Sequence, residues 1–508
     1  MGRMAVAAIV SLWVIPISMA VNRIVPDPYM DEIFHVPQAQ RYCRGDFKTW
    51  DPMITTPPGL YYLSLAYVAS LFPGMWFTKV IQSFHQLCST GFLRSTNAII
   101  AVVCSVIVYD LLISLRPSLS EKKATFYAVL IALYPLHWFF TFLYYTDVAS
   151  LTAVLAMYLA SLKKQFLISA MFGAFATLFR QTNVVWVAFV AATAAISYAE
   201  NLCGKDCANL KYEKFKIVKK DVISGKNNSA VNPTLRKRRT GASKNSSQKV
   251  IHFHLLNDSG LVDEIVELFI KLWRLKWKVL VTFFPYLLVL VAFGALVVFN
   301  GGIVLGAKEA HVVSLHFAQL MYFGLAAAAA LAPVHFTLGQ ASTLWQSLRR
   351  HKIGNSFGLL ASLFLCMIFV HFFSIAHPYL LADNRHYTFY LWRKVIHANR
   401  SMKYLLVPLY IYSWLSLITA FGNAQKKKVW VLLFCAASVA VLIPTPLIEF
   451  RYYTTPFYFL ILNSKIEQNM KWAIIGILYA SVNVLTMLMF LYRPFQWDHQ
   501  PGIQRFIW

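Results

Sequence analysis

Apolar residues run through this chain in long blocks separated by short polar stretches. The blocks lie near 4–25, 59–76, 94–115, 124–143, 148–162, 166–178, 183–199, 279–299, 317–333, 355–375, 404–422, 429–444 and 472–492, with a shorter one at 457–463. Several approach the ~20 residues that carry a helix across a bilayer. Lipid offers backbone N–H and C=O groups no partner, so such blocks are expected as helices. The pattern predicts an all-α polytopic membrane protein with about 12–15 transmembrane helices. The first block is followed by "NRIVPDP" and no small-residue cleavage site, so it is expected to remain as the first transmembrane helix.

Composition supports this picture: 58% of the residues are hydrophobic and 13% charged, which excludes an ordinary soluble domain. The seven cysteines are scattered, mostly in apolar runs, and suggest no disulfide framework. Cys203 and Cys207, with His252 and His254 far downstream, read as reduced thiols and distant imidazoles rather than a zinc site.

The formal charge of +26 raises the question of nucleic acid, but its distribution argues against that partner. Residues 205–249 hold thirteen Lys/Arg against three Asp/Glu among many Ser, Asn and Gly. Such a run is expected to be solvated and disordered, on the cytosolic side and near anionic headgroups. It divides the chain into a transmembrane module at 1–199, a basic cytosolic loop at 200–278 and a second transmembrane module at 279–508.

"LKKQ" at 162–165, "RRHK" at 349–352 and "QKKK" at 425–428 fall on the cytosolic side by the positive-inside rule. Residues 26–58, 300–316, 376–401 and 445–456, with Asp147 and Arg180, then face the lumen. Counting from the two ends disagrees by one crossing. Two short helices broken at Pro135 would restore parity and leave "RPSLSEKK" luminal.

The luminal stretches carry the polar motifs. Asp27–Pro28 reads as the N-cap and first residue of a short interfacial helix presenting Met30, Ile33 and Phe34 to the membrane. Asp31 and Glu32 fall in its first turns, His35 shares a face with Asp31, Gln38 lies one turn on, and Pro37 is expected to kink it. The other stretches supply Arg180, Gln181 and Asn183; Lys308; His377, Asp383, Asn384, Arg385 and His386; and Arg451 beside Glu449. Carboxylates and fixed cations on one membrane face suit glycosyl transfer from a polyprenyl-phosphate hexose. A carboxylate takes the acceptor proton, and Arg or His stabilises the departing phosphate. This chemistry requires no metal or other cofactor.

The segments "PYMDEIFHVPQAQRYCRG", "WDPMITTPPGLY", "FRQTNVVW", "NGGIVLG", "LLADNRHYTFYLW", "IEFRYY" and the terminal "IQRFIW" resemble the endoplasmic-reticulum dolichyl-phosphate-glucose α-1,2-glucosyltransferase family. The likeness runs in order from about residue 28 to residue 508 and is weakest across the basic loop. It implies a GT-C glycosyltransferase fold and an endoplasmic-reticulum location with a luminal active site. The implied donor is dolichyl-phosphate glucose and the implied acceptor a dolichyl-diphosphate oligosaccharide. Asp31, ahead of "QAQR", is the implied general base, with Glu32 and then Asp51 as alternatives, and His35 and Gln38 as groups that orient the acceptor. His377, Arg385, His386 and Arg451 are assigned to the donor phosphate. Arg180, Gln181, Asn183, Asp383 and Asn384 are assigned to sugar hydroxyls.

A β-linked donor and an α-linked product imply a single inverting displacement. One departure stands out: Ala307 and Lys308 follow the glycine of "NGGIVLG", where the family often has an acid. Asn399-Arg400-Ser401 is a luminal glycosylation sequon, whereas those at Asn227, Asn245 and Asn257 should stay bare in the cytosolic loop. Alternatives to the enzyme are a lipid or solute transporter and a non-catalytic regulator of a channel. A transporter would carry its charges mid-span and show an internal repeat, and neither feature is evident.

Overall fold

The apolar blocks become helices in the computed structural model, which describes residues 1–71, 88–224, 260–311, 313–350, 352–466, 468–498 and 500–508. Among them, six helices are long and apolar enough to cross a membrane: Gly2–Ile24, Thr90–Leu115, Asn183–Cys203, Lys276–Asn300, Met402–Asn423 and Asn469–Tyr492. Six shorter apolar helices accompany them, including Gly59–Leu71, Thr146–Leu162, Phe166–Phe179 and Lys428–Leu442. The protein is an all-α polytopic membrane protein, as the pattern predicts.

The chain divides into two units, residues 1–194 with 282–508, and residues 195–281. In the smaller unit the basic segment is more helical than expected. The helix that starts at Asn183 continues to Ser224, and a second helix covers Leu261–Arg274. Residues 200–224 contain six Lys and no Pro, which lets a helix continue once a preceding span has nucleated it. Leu261–Arg274 is amphipathic, with Val262, Phe269 and Trp273 exposed and Lys271 paired with Glu267 one turn away. His252, His254 and the sequons at Asn227, Asn245 and Asn257 lie outside the described residues.

In the larger unit the helices run between two ends. Gly2–Ile24 and Thr90–Leu115 are antiparallel: Arg3 pairs with Asp110 at 2.7 Å at one end, and Arg94 reaches the carbonyl of Val25 at 2.6 Å at the other. Arg116 therefore lies at the end away from Arg94, where it donates to the carbonyls of Leu462 and Ser464. This corrects the expectation for "RPSLSEKK", which shares its end of the bundle with "QKKK".

Parity is not restored at Pro135. That proline does open a helix, but Pro135–Phe140 has six residues, about 9 Å at 1.5 Å per residue, too short to add a crossing. Instead the chain is back at the Arg94 end before Thr90, because Cys88 is disulfide-bonded to Cys43 of the Glu32–Cys43 helix. The disulfide corrects the expectation of no bridge. The two cysteines are 45 residues apart, and nothing in their spacing signals that the chain returns.

Inside the bundle the seams are aromatic and close-packed, as helix association in lipid requires. Trp186 stacks on Phe459 at 4.9 Å, and Phe139 meets Phe490 edge-on at 5.4 Å. Gly59 lets its helix press against Phe166–Phe179, since a Cβ there would sit 2.5 Å from the Leu178 carbonyl oxygen.

The last residues form a small element that the apolar pattern does not predict. Strand Phe495–Trp497 pairs antiparallel with Gln500–Gln504, and the chain then lies beside residues 385–387. Ile507 N donates to the Arg385 carbonyl at 2.9 Å, and Tyr387 N to the Ile507 carbonyl at 3.1 Å.

Candidate active site

The segment before the first interfacial helix folds around one buried carboxylate. Tyr29 N donates to Glu32 Oε2 at 3.0 Å, closing a turn in which Met30 takes a positive φ of 56°. The helix therefore begins at Glu32 with Asp31 as its N-cap, four residues later than Asp27–Pro28 suggests, and it runs through Pro37 to Cys43.

Glu32 is fully enclosed. Arg94 Nε and Nη2 donate to its two oxygens at 2.8 and 2.6 Å, and Tyr144 N donates to Oε1 at 2.6 Å. The rest of the Arg94 guanidinium is held by the carbonyls of Val25 and Asp27 and by Asn22 Oδ1. Glu32 is thus a brace joining three chain segments, with no lone pair directed outward.

Asp31 is placed differently. Its backbone N donates to the Tyr145 hydroxyl at 3.1 Å, and its Oδ2 accepts from Arg451 Nη1 at 2.9 Å. Arg451 also grips Glu449 through Nε at 3.0 Å and Nη2 at 2.7 Å, and its Nη1 lies 3.8 Å from Asp147 Oδ2. The guanidinium rests 5.3 Å from the centroids of both the Phe140 and Tyr145 rings. Tyr453 steadies this loop by donating to Gln319 Oε1 at 2.6 Å, while Gln319 Nε2 donates to the Leu447 carbonyl at 2.7 Å. Arg180 pairs with Asp147 at 3.1 Å and completes the cluster.

Accessibility separates the acids. The Asp31 side chain is 41% exposed, against 10% for Asp147, 15% for Glu449 and none for Glu32. The surrounding protein opposes the Asp31 charge by desolvation, but Arg451, through its charge and its hydrogen bond, holds the carboxyl below its ordinary value. His35 is pushed the other way, because burial, Arg451 and Arg180 together oppose its charge despite Asp31. It is therefore neutral at pH 7, and its Nδ1 lies 2.6 Å from the Tyr61 hydroxyl.

A second charged group is formed by residues 383–386. Arg385 grips Asp383 through Nε at 2.8 Å and Nη2 at 2.7 Å, with Nη1 donating to Gln504 Oε1 at 3.0 Å. His386 Nδ1 lies 3.0 Å from the Trp508 carbonyl oxygen. His377 stands at the start of helix Pro378–Ala382, accepting from Tyr379 N at 3.2 Å.

The remaining candidates are occupied with holding the chain. Gln38 is buried, donating to the Thr49 carbonyl at 2.8 Å and accepting from Asp51 N at 3.0 Å. Asp51 closes its own turn by accepting from Met53 N at 2.9 Å. Gln181 donates to the Thr55 carbonyl at 2.6 Å, and Asn183 is buried on Ser150 Oγ and the Ala176 carbonyl, both at 2.7 Å. Asn384 Oδ1 accepts from Trp497 Nε1 at 2.8 Å. Lys308 donates to the Asn300 carbonyl at 2.6 Å. The glycine loop itself packs on residues 52–55: a Cβ at Gly306 would sit 2.3 Å from the Pro52 carbonyl oxygen.

Sequence reasoning missed Arg94, Tyr145 and the role of Asp147. A signal existed for two of them, since "GFLRSTNAII" and "YYTDVAS" each place one charge in an otherwise apolar run.

The sequence model described as the DIE2/ALG10 family matches residues 25–462. The chain is 53% identical to an Arabidopsis thaliana protein named Dol-P-Glc:Glc(2)Man(9)GlcNAc(2)-PP-Dol alpha-1,2-glucosyltransferase, over 100% of both chains. It is 35% identical to the Mus musculus protein of that name, over 96% of this chain and 95% of the other. The Drosophila melanogaster protein of that name is 28% identical, over 98% and 97%. No solved structure matches the chain significantly.

Proposed function

Because the chain belongs to the DIE2/ALG10 family, we propose that it transfers glucose from dolichyl-phosphate glucose to the terminal glucose of a diglucosylated lipid-linked oligosaccharide. The product linkage is α-1,2, and the reaction takes place on the luminal face of the endoplasmic-reticulum membrane. Likeness over the whole length to relatives named for this activity supports the reaction. The exposure of Asp31 beside Arg451, next to acids that are covered, is the observation that supports the mechanism.

Asp31 removes the proton from the acceptor's 2-hydroxyl as that oxygen attacks the anomeric carbon of the donor. The bond from this carbon to the phosphate oxygen breaks, dolichyl phosphate leaves, and β configuration becomes α. A carboxylate held below its ordinary pKa is a weak base while its cation stays in place. Arrival of the donor phosphate draws Arg451 away from Asp31 and raises the basicity of the carboxylate where it is needed. Arg385, His386 and His377 share the phosphate with Arg451, and Arg180 orients a sugar hydroxyl. Glu32 acts as the brace of Asp31 rather than as an alternative base.

Labelled transfer to a diglucosylated acceptor, in membranes of cells lacking their own enzyme, tests the reading. Glucose is expected to move from dolichyl-phosphate glucose and not from UDP-glucose, and absence of transfer would reject the proposal.

Arg451→Lys keeps the charge but not the fork that holds Asp31 and Glu449 together. It is expected to lower kcat by about 10- to 100-fold with little change in melting temperature, as misplacement of a reacting group does. The luminal side has its own test. Asn399 is exposed, so its sequon should carry a glycan, seen as an endoglycosidase-sensitive gel shift that Asn399→Gln abolishes.

A further inference from the structure

A cavity of about 590 Å³ lies far from Asp31, lined by residues 115–120 at the end of helix Thr90–Leu115, residues 423–426 and residues 462–466. Arg94 and Arg116 mark the two ends of one helix, about 33 Å apart at 1.5 Å per residue. That is close to the ~30 Å of a hydrocarbon core, so the cavity opens at the interface opposite the candidate active site.

Arg116, Lys123, Lys426 and Lys465 line it, with Ser120 and Tyr127, and no carboxylate is among its described lining residues. Glu121, the acid adjacent in sequence, is exposed and outside the lining. The Arg116 guanidinium donates to two carbonyl oxygens, those of Leu462 and Ser464, and is paired with no carboxylate among the described residues. Lys426 lies over the Trp430 ring at 5.2 Å from its centroid. Burial and the nearby Arg116 push the Lys426 ammonium down to about 8.

Positions 310 residues apart therefore hold two cations together in a partly desolvated cavity, an arrangement that costs free energy unless an anion sits between them. The helix that starts at Glu121 also directs its positive end to the cavity, where its N-cap Ser120 is among the lining residues.

We infer that this cavity binds a phosphate group at the membrane face opposite Asp31, with Arg116 and Lys426 as its principal ligands. The phosphate belongs either to an anionic lipid headgroup or to a free anion, and the cavity lies within the ~300–1,000 Å³ range of small-molecule sites.

The test is a melting curve of the purified full-length protein in detergent, titrated separately with short-chain phosphatidic acid, short-chain phosphatidylcholine and inorganic phosphate. Phosphatidic acid should raise the wild-type melting temperature in a saturable manner. Lys426→Gln and Arg116→Gln should each need at least about tenfold more lipid for the same shift, and Lys426→Arg should restore the response. Lys426→Gln is the deciding variant, because Arg116 also caps the end of helix Thr454–Asn463 and its loss can unsettle the fold. An equal response to phosphatidylcholine, or an unchanged response in Lys426→Gln, overturns the inference. If inorganic phosphate alone gives the full shift and Lys426→Gln removes it, the anion site stands with a soluble ligand.

Discussion

Arg94→Met is expected to lower the melting temperature by about 3–5 °C and to be the most destabilising single change near the site. Glu32 and Arg94 are both buried, at 0% and 1% side-chain exposure, and form a two-pronged pair. Removing one partner of a buried pair leaves an uncompensated charge and costs about 3–5 kcal/mol. For a chain of 508 residues the unfolding entropy makes 1 kcal/mol roughly 1 °C. Glu32→Gln acts by the same route, because its amide would turn donors towards the Arg94 donors. The double variant Glu32→Met/Arg94→Met should recover much of the loss, since a buried pair replaced by apolar groups is often near neutral. A melting series of the two singles and the double measures this coupling, and additive losses would show that the pair acts through other contacts.

Asp31→Asn is expected to reduce transfer by about 10²- to 10⁴-fold while leaving the fold intact, the range for loss of a general base. The substitution keeps size and shape, and Asp31 is half-exposed, so no buried charge is stranded as it is at Glu32. The pH dependence has a defined sign. The folded Asp31 carboxyl lies below its ordinary value of 3.8, so the ion pair with Arg451 is fully present above that value and is lost only as pH falls through the lower folded value. Transfer at limiting donor, which reports the free enzyme, should therefore show no acid limb from Asp31 between pH 5 and 8. A limb in that window would point to another titrating group.

Much of this arrangement was legible in the sequence. Uninterrupted apolar blocks can only be satisfied as helices, and the concentration of Lys and Arg in three turns marks which ends lie together. Asp31, Arg180, Arg385 and Arg451 stood out because charges beside apolar spans need partners. Their roles were harder to read. Glu32 follows Asp31 directly, and a helical pattern cannot tell which of two adjacent acids turns inward to an arginine 62 residues away. Asn183 and Gln181 look like sugar ligands in a polar motif, yet their donors go to Ser150 and the Thr55 carbonyl, because irregular backbone at helix ends must be satisfied locally. The break at Pro135 is visible in the sequence but adds no crossing, and the return of the chain to Cys88 depends on a long-range contact that the sequence does not signal.

The most direct measurement is glucose transfer from dolichyl-phosphate glucose to a diglucosylated lipid-linked acceptor by wild type, Asp31→Asn and Glu32→Gln at matched amounts of folded protein. The account predicts that wild type transfers glucose, that Asp31→Asn loses at least about a hundredfold, and that Glu32→Gln retains activity in proportion to its folded fraction. Full activity in Asp31→Asn, or loss in folded Glu32→Gln alone, would contradict it.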